Sequence, residues 1–283
     1  MKYNYKKFCY DAWIHWNTTS VCNLDCEYCF GHFNDVPQIN KIDIEQLLKT
    51  LDKTGKIFRI SFTGGEPFLI PNIVEAMKAI SSRHFVSFNT NLISPKINDL
   101  ADSISPKRVV HIHASFHYEE LLKRKLLERF IDNYLRLKRT EFSIHAEAVA
   151  YPCLRSKITE MNEVLSEHGI TLQYSPYFGI HDDKSYPESY TNEELKIFGL
   201  SDTSRLTYAQ KGAFCNAGYN VFVAFHEGKL KPCFHFKESC GNLYDEIIFS
   251  HSMKQCPFSK CGCPLNIYDE KLYLEAMKHF NLI

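Results

Sequence analysis

Six stretches that read as strands alternate with stretches that read as helices over the first two thirds of this 283-residue chain. The strands are expected at 12–17, 57–63, 84–89, 109–116, 142–151 and 170–175. Between them, apolar residues recur at helical spacing over 42–51, 73–80, 97–104, 119–138 and 158–167. Strand–helix repeats with short connections require a parallel sheet covered by helices. Six repeats fall short of the eight that close a barrel, so an α/β fold with a partial (β/α)6 TIM-like barrel is expected. Its active face lies at the C-terminal strand ends. From 177 to 205 the chain turns polar and reads as a linker, which divides it into a barrel over 1–200 and a small C-terminal domain over 201–283.

Nine of the 11 cysteines gather at two places, with Cys9 and Cys153 apart. Cys22, Cys26 and Cys29 follow the first strand at Cys-x3-Cys-x2-Cys spacing, and six more lie between 215 and 263. Thiolates select zinc, copper(I) or iron–sulfur clusters. Three close thiols hold three corners of a cluster and leave a fourth metal open, whereas structural zinc takes four ligands, usually as two pairs. A disulfide or a closed zinc knuckle is the plain alternative. A second segment weighs against it: Gly64-Gly65-Glu66-Pro67 directly follows the strand 57–63. Glycine lets backbone approach closely, and Glu66 offers an acceptor for an ammonium group.

Cys22-x3-Cys26-x-Tyr28-Cys29 followed by Gly64-Gly65-Glu66-Pro67 resembles the signature of the radical SAM superfamily. The resemblance implies a 4Fe–4S cluster whose open iron is chelated by S-adenosylmethionine, with cofactor contacts at Tyr28, Gly64, Gly65, Glu66, Asn91 and Ser115. The step that often reads Thr-Asn-Gly in the family is Thr90-Asn91-Leu92 here. Farther on, 220–225 and 230–233 read as a hairpin around Gly228. The pattern Cys215-x12-Gly228-x4-Cys233 with Gly241-Asn242-Leu243 resembles the opening of SPASM and Twitch domains, which carry auxiliary iron–sulfur clusters. The longer cysteine run of a two-cluster domain is absent from the sequence. This implies a small α+β Twitch-like domain with one auxiliary 4Fe–4S cluster, held by Cys215, Cys233 and two of Cys256, Cys261 and Cys263. Cys240 is a further option, and a structural zinc fits four thiolates on local grounds.

Strand alternation places His111, His113, Ser115 and His117 on one face of the fourth strand, and His145 with Glu147 on one face of the fifth. Together these polar groups predict a polar substrate pocket inside the barrel, the alternative being hydrogen-bonded histidines of its core. Cys153, just past the fifth strand, is a candidate catalytic thiol that delivers a hydrogen atom to a substrate radical. A small buried hydrophobe is the commoner role of such a residue.

Lys+Arg and Asp+Glu are both 33, so nothing in the charge calls for nucleic acid, and no apolar run approaches a membrane span. A cytoplasmic enzyme is expected, supplied with electrons by a donor such as flavodoxin or ferredoxin. The resemblance implies cleavage of S-adenosylmethionine to a 5′-deoxyadenosyl radical and hydrogen abstraction from substrate. Only 21 residues precede Cys22, which leaves no room for an N-terminal peptide-recognition domain. That favours a small polar substrate, a sugar or alcohol to be oxidised or epimerised. Modification of a ribosomal peptide by crosslinking or epimerisation is the alternative, and a non-catalytic zinc-binding scaffold a distant one.

Overall fold

The computed structural model describes residues 8–29, 41–201, 211–259 and 261. In chain order they form β1 (Ala12–Thr19), α1 (Ile44–Lys53), β2 (Phe58–Gly64), α2 (Ile73–Ser81), β3 (Phe85–Thr90), α3 (Lys96–Ser103), β4 (Val109–Ser115), α4 (Tyr118–Lys123), α5 (Leu127–Arg139), β5 (Ile144–Ala150), α6 (Ile158–Ser166) and β6 (Leu172–Pro176). Then come β7 (Gly179–His181), β8 (Lys184–Tyr186), α7 (Asn192–Ile197), β9 (Phe214–Cys215), β10 (Val221–Ala224), β11 (Leu230–Lys231) and β12 (Lys254–Gln255). The main sheet runs β11-β10-β1-β2-β3-β4-β5-β6. Strands β1 to β6 are all parallel, and β10 joins β1 in parallel as well. The fold is an open partial barrel with helices on its outer face.

Alternation explains the layers. Ile14, Ile60, Val86, Ile112 and Ala146 face outward and are buried with Leu47, Met77, Leu100, Phe130 and Leu165 of the helices. The opposite, inward face carries Trp13, Arg59, Ser61, Ser87, His111, His113 and Glu147. Register stacks it in levels: His15, Ser61, Ser87 and His111 on one, then Asn89, His113 and His145, then Ser115, Glu147 and Gln173 nearest the strand exits. The lower end is plugged by Phe8, Tyr10, Trp13 and Val110, with the Arg59 guanidinium 4.5 Å over the Trp13 ring.

The structure corrects the sequence reading in three places. The helix expected over 119–138 is two helices, broken where Lys125 adopts φ 57°. The break frees α4 to present Glu120 to the cysteine loop while α5 packs against the sheet. Over its described residues, to 201, the expected linker is structured: β7 and β8 form a hairpin, and α7 starts from a Thr191–Glu194 capping box. The predicted C-terminal hairpin exists as β10–β11, but β10 also extends the barrel sheet at its β1 edge. Hydrophobic patterning cannot name a strand's distant partner, which is why this pairing was not foreseen. Among the described residues, no helix is long and apolar enough to cross a membrane.

Candidate active site

The cysteine loop leaves β1 and meets the chain leaving β2. The Gly65 N–H donates to the Thr19 carbonyl at 2.7 Å, and the Glu66 N–H to that of Val21 at 2.9 Å. A Cβ on Gly64, whose φ is 132°, would lie 2.1 Å from the Thr19 oxygen; one on Gly65 would lie 2.1 Å from that of Val21. The two glycines are therefore the condition for the β2 exit to lie against the segment that feeds Cys22.

Side chains from three other elements fix the loop. The Asp25 N–H donates to Glu120 at 3.0 Å, and that buried carboxylate is also held by Arg124 at 2.8 Å and Lys123 at 3.1 Å. Burial alone would raise the Glu120 pKa, but the Arg124, Asp25 and Lys123 donors outweigh it and bring it down to about 2. Asn91 donates to the Asn23 side chain at 2.8 Å. Tyr151 donates to Glu27 at 2.9 Å, and Tyr28 meets His117 Nδ1 at 3.0 Å with its ring stacked on the imidazole. His117 thus serves the cysteine loop instead of continuing the inward row, because β4 ends at Ser115 and His117 begins the turn into α4. Burial lowers its pKa to about 4.

Glu66 is 1% exposed and starts a short 3-10 turn over Pro67–Leu69. Its Oε1 accepts from the Phe68 N–H at 3.0 Å and the Thr90 hydroxyl at 2.9 Å, and its Oε2 from the Asn91 N–H at 2.8 Å. Burial pushes its pKa up to about 7, and the three donors offset only part of that. The carboxylate ties the exits of β2 and β3 together.

Cys22 and Cys29 are exposed and Cys26 is buried, and none of the described cysteines is in a disulfide. Burial, then the neighbouring Cys22 and Cys29 sulfurs, push the Cys26 thiol up to about 12; burial raises Cys22 too. Thiols held this way need a compensating cation to ionise, which an iron–sulfur cluster provides. The Leu24 N–H already points at Cys22 Sγ, 3.4 Å away. The donor set fits a three-cysteine 4Fe–4S site.

Within the barrel, His113 Nε2 lies 3.1 Å from Glu147 Oε1 and His145 Nε2 lies 3.5 Å from Glu147 Oε2. His111 Nε2 faces His145 Nδ1, and His111 Nδ1 is 3.1 Å from Ser143 Oγ. Burial, then the charges of His145 and His113, lower the His111 pKa to about 2; burial lowers His145. For Glu147, burial opposes ionisation, but His113 and the hydrogen bonds from His113, His145 and Ser175 hold it well below the carboxylate range. Ser115 sits beside Glu147 in register.

At the rim, the exposed Cys153 lies in a 3-10 segment after β5, its Sγ 3.5 Å from His181 Nε2. His181 Nδ1 is 3.1 Å from the Tyr151 hydroxyl, which donates to Glu27. A polar chain Cys153–His181–Tyr151–Glu27 so links the rim to the cysteine loop. Sequence reasoning missed His181 because its segment reads as linker, and missed Glu120 because a charge on a short helix carries no signal of its target.

Cys215, Cys233, Cys256 and Cys261 line one cavity of about 70 Å³ beside Val221 at the start of β10. Asn216, 1% exposed, lines it too, and neither its amide nitrogen nor its oxygen has a partner among the described residues. Four thiols and an unsatisfied N–H donor fit an iron–sulfur cluster, whose sulfurs accept such bonds. Cys240 is not on this cavity; it packs against the main core. Cys263 lies outside the described residues.

Residues 16–152 match the profile of the Radical SAM superfamily. The chain is 25% identical over 134 residues to an S-adenosylmethionine-dependent nucleotide dehydratase of Selenomonas ruminantium, a match that spans 42% of this chain and 49% of that relative. The fold resembles that of anSMEcpe with bound S-adenosylmethionine, at a TM-score of 0.58 and 16% identity over 83% of this chain and 78% of the other. It also resembles Streptococcus suis SuiB bound to its precursor peptide SuiA, at 0.56 and 16% identity over 84% and 63%.

Proposed function

From a chain whose residues 16–152 are a radical SAM domain, we propose an enzyme that abstracts a hydrogen atom from a small polar substrate held inside the barrel, oxidising or epimerising it. One observation carries the substrate class: the inward face of β4 and β5 bears Glu147 at the level nearest the strand exits, His113 and His145 one level below it, and His111 one level below those. A chamber so rich in hydrogen-bonding groups suits hydroxyls and carbonyls better than an apolar side chain.

When bound, the 4Fe–4S cluster and S-adenosylmethionine supply an electron and a 5′-deoxyadenosyl radical. Cys22, Cys26 and Cys29 would hold the cluster, and Tyr28 packs the loop that carries them against His117 and Tyr151. The Gly64–Glu66 turn and Asn91, clamped by the Glu66 carboxylate, present backbone polar groups toward the cofactor's amino acid part. Ser115 sits beside them at the β4 exit. Cys215, Cys233, Cys256 and Cys261 would hold an auxiliary cluster, which would supply electron-transfer chemistry, and an external donor such as flavodoxin or ferredoxin would provide the reducing electrons.

Cys153 is the hydrogen-atom donor of the epimerisation branch. A thiol S–H is weaker than an alkyl C–H, so the transfer runs downhill. One electron from the donor protein and one proton restore the S–H bond, and His181, backed by Tyr151 and Glu27, delivers that proton. The test is anaerobic turnover in D2O with a panel of nucleosides, sugars and alcohols. A substrate should raise 5′-deoxyadenosine release, and wild-type product should carry solvent deuterium that Cys153→Ala product lacks. Equal turnover by the variant, or no solvent deuterium, removes the donor role and leaves oxidation through the auxiliary cluster.

A peptide substrate is the second reading, favoured by the likeness in fold to SuiB bound to SuiA. Stimulation of 5′-deoxyadenosine release by peptides and by no small molecule would replace the first reading with this one.

A further inference from the structure

We propose that His113, His145 and Glu147 form a mononuclear site for a divalent first-row metal, zinc(II) or iron(II), inside the barrel, where it chelates substrate oxygens. One donor atom from each of the three lies within 4.8 Å of the others. The arrangement follows from register. His113 and His145 stand abreast on adjacent parallel strands, their ring centroids 4.5 Å apart, and Glu147 is two residues farther along the same face. Donors sharing one ion at ~2.0–2.2 Å bonds lie about 3.0–3.6 Å apart, from octahedral to tetrahedral angles. The separations of 3.1 Å from His113 Nε2 to Glu147 Oε1 and of 3.5 Å from His145 Nε2 to Glu147 Oε2 both fall in that range, so the two carboxylate oxygens each face one imidazole.

Two imidazoles and a carboxylate on one side of an ion leave its other positions open. The donors are reachable from the chamber: the side chains of His113, Glu147 and His145 are 22%, 16% and 10% exposed. An oxygen-bearing substrate entering from the strand exits meets that open side.

The surrounding groups complete the site. Metal-ligating histidines donate their other N–H to a fixed acceptor. His145 has His111 Nε2 at its Nδ1, and His111 has Ser143 at its own Nδ1. Ser175 holds the Glu147 carboxylate. Two proton arrangements satisfy this chain. Without metal, Ser143 donates to His111, His111 to His145, and the His113 and His145 Nε2–H groups to Glu147. With metal on both Nε2 atoms, the order reverses: His145 Nδ1–H donates to His111, and His111 Nδ1–H to Ser143. Ser143, His111 and the Nδ1 of His145 keep a partner in both states, so the ion enters without stranding that chain.

The proposal rests on the barrel interior being the substrate chamber, but its test uses neither S-adenosylmethionine nor turnover, so its failure leaves the radical chemistry standing. Protein with its iron–sulfur sites filled anaerobically is desalted and titrated with Zn(II). One equivalent should bind saturably, and zinc-edge X-ray absorption on the wild type should show a nitrogen and oxygen shell with imidazole scattering. His113→Ala with Glu147→Gln should abolish this binding at unchanged iron content, and His111→Ala should weaken it by about 10–100-fold. A sulfur shell around zinc, no saturable binding by the wild type, or equal affinity in the double variant overturns the site. The wild-type spectrum decides the matter even if a variant fails to fold.

Discussion

The two cysteine sites are built in opposite ways. At the barrel exits, two of three thiols are exposed, and the loop that carries them is fixed by Thr19, Val21, Asn91, Glu120, His117 and Tyr151. At the start of β10, four thiols converge on a cavity walled by Pro232, Phe236 and Phe258, with Asn216 as the buried polar group. The first site puts its polar contacts into orienting a loop with three thiols, which on a four-iron cluster would leave one iron to an outside ligand. The second offers four thiols, which would ligate every iron from the protein. An open site suits a cofactor that must be bound and released; a closed one suits electron transfer, where ligand exchange is unwanted.

The largest effect expected from this contrast comes from the open site. Replacing Cys22, Cys26 and Cys29 together by Ala should abolish release of 5′-deoxyadenosine in the presence of dithionite and S-adenosylmethionine. Iron should fall by roughly four per chain, the content of one 4Fe–4S cluster, and not to zero. Persistent cleavage, or loss of all iron, would erase the distinction between the sites. The converse change comes next: Cys233→Ala should also remove about four irons yet leave cleavage of S-adenosylmethionine intact. If cleavage disappears with it, the closed site is no separate relay. Zinc in place of iron there in the wild type would make it structural.

A third change attacks the orientation of the open loop without touching a thiol. Gly65→Ala drives a Cβ to 2.1 Å from the Val21 carbonyl oxygen, so one of the two chains has to move. Glu120→Ala is milder. It removes the acceptor of the Asp25 N–H, a charge-assisted bond of about 1.5–3 kcal/mol. Both should bind S-adenosylmethionine more weakly, Gly65→Ala by the larger factor, with the auxiliary iron retained. Equal losses of iron from both sites would mean general unfolding and not a loop effect.

The two sites also differ in how far the sequence revealed them. The open site was legible because its chemistry is local: three thiols within eight residues, then two glycines and a glutamate at a strand end. The barrel was legible because βα alternation is periodic. At the closed site, the Cys215-x12-Gly228-x4-Cys233 pattern named two ligands and left the others open, whereas the fold shows Cys256 and Cys261 facing the same cavity with Cys240 turned to the core. The groups that orient the open loop were hidden for the same reason. Glu120 sits 95 residues from its partner Asp25, and His181 lies 30 residues from Tyr151 in a polar stretch without periodicity. Contacts at that range leave no mark on local pattern.

The smallest expected effect is a pH dependence at Glu66, which sits where the open loop meets the β2 exit. Burial raises its pKa from 4.5 to about 7 in the folded protein. The folded state then binds a proton more strongly than the unfolded state does, so stability from this group is present at low pH and is lost as pH rises through about 7. Glu66→Gln keeps the side-chain shape but cannot ionise, and its amide meets the Asn91 N–H poorly, which adds an offset independent of pH. Subtracting the variant's unfolding free energy from the wild type's at each pH cancels every other titrating group. Anaerobic denaturant titrations of the holoprotein between pH ~6 and ~8 should give a difference that falls with pH, with a slope of up to one proton, ~1.4 kcal/mol per pH unit. A difference flat across that range would mean that the Phe68, Thr90 and Asn91 donors outweigh burial and keep Glu66 ionised throughout. The clamp between the β2 and β3 exits would then be a permanent charge that stiffens the open site at every physiological pH, and S-adenosylmethionine affinity should show no pH dependence from this residue.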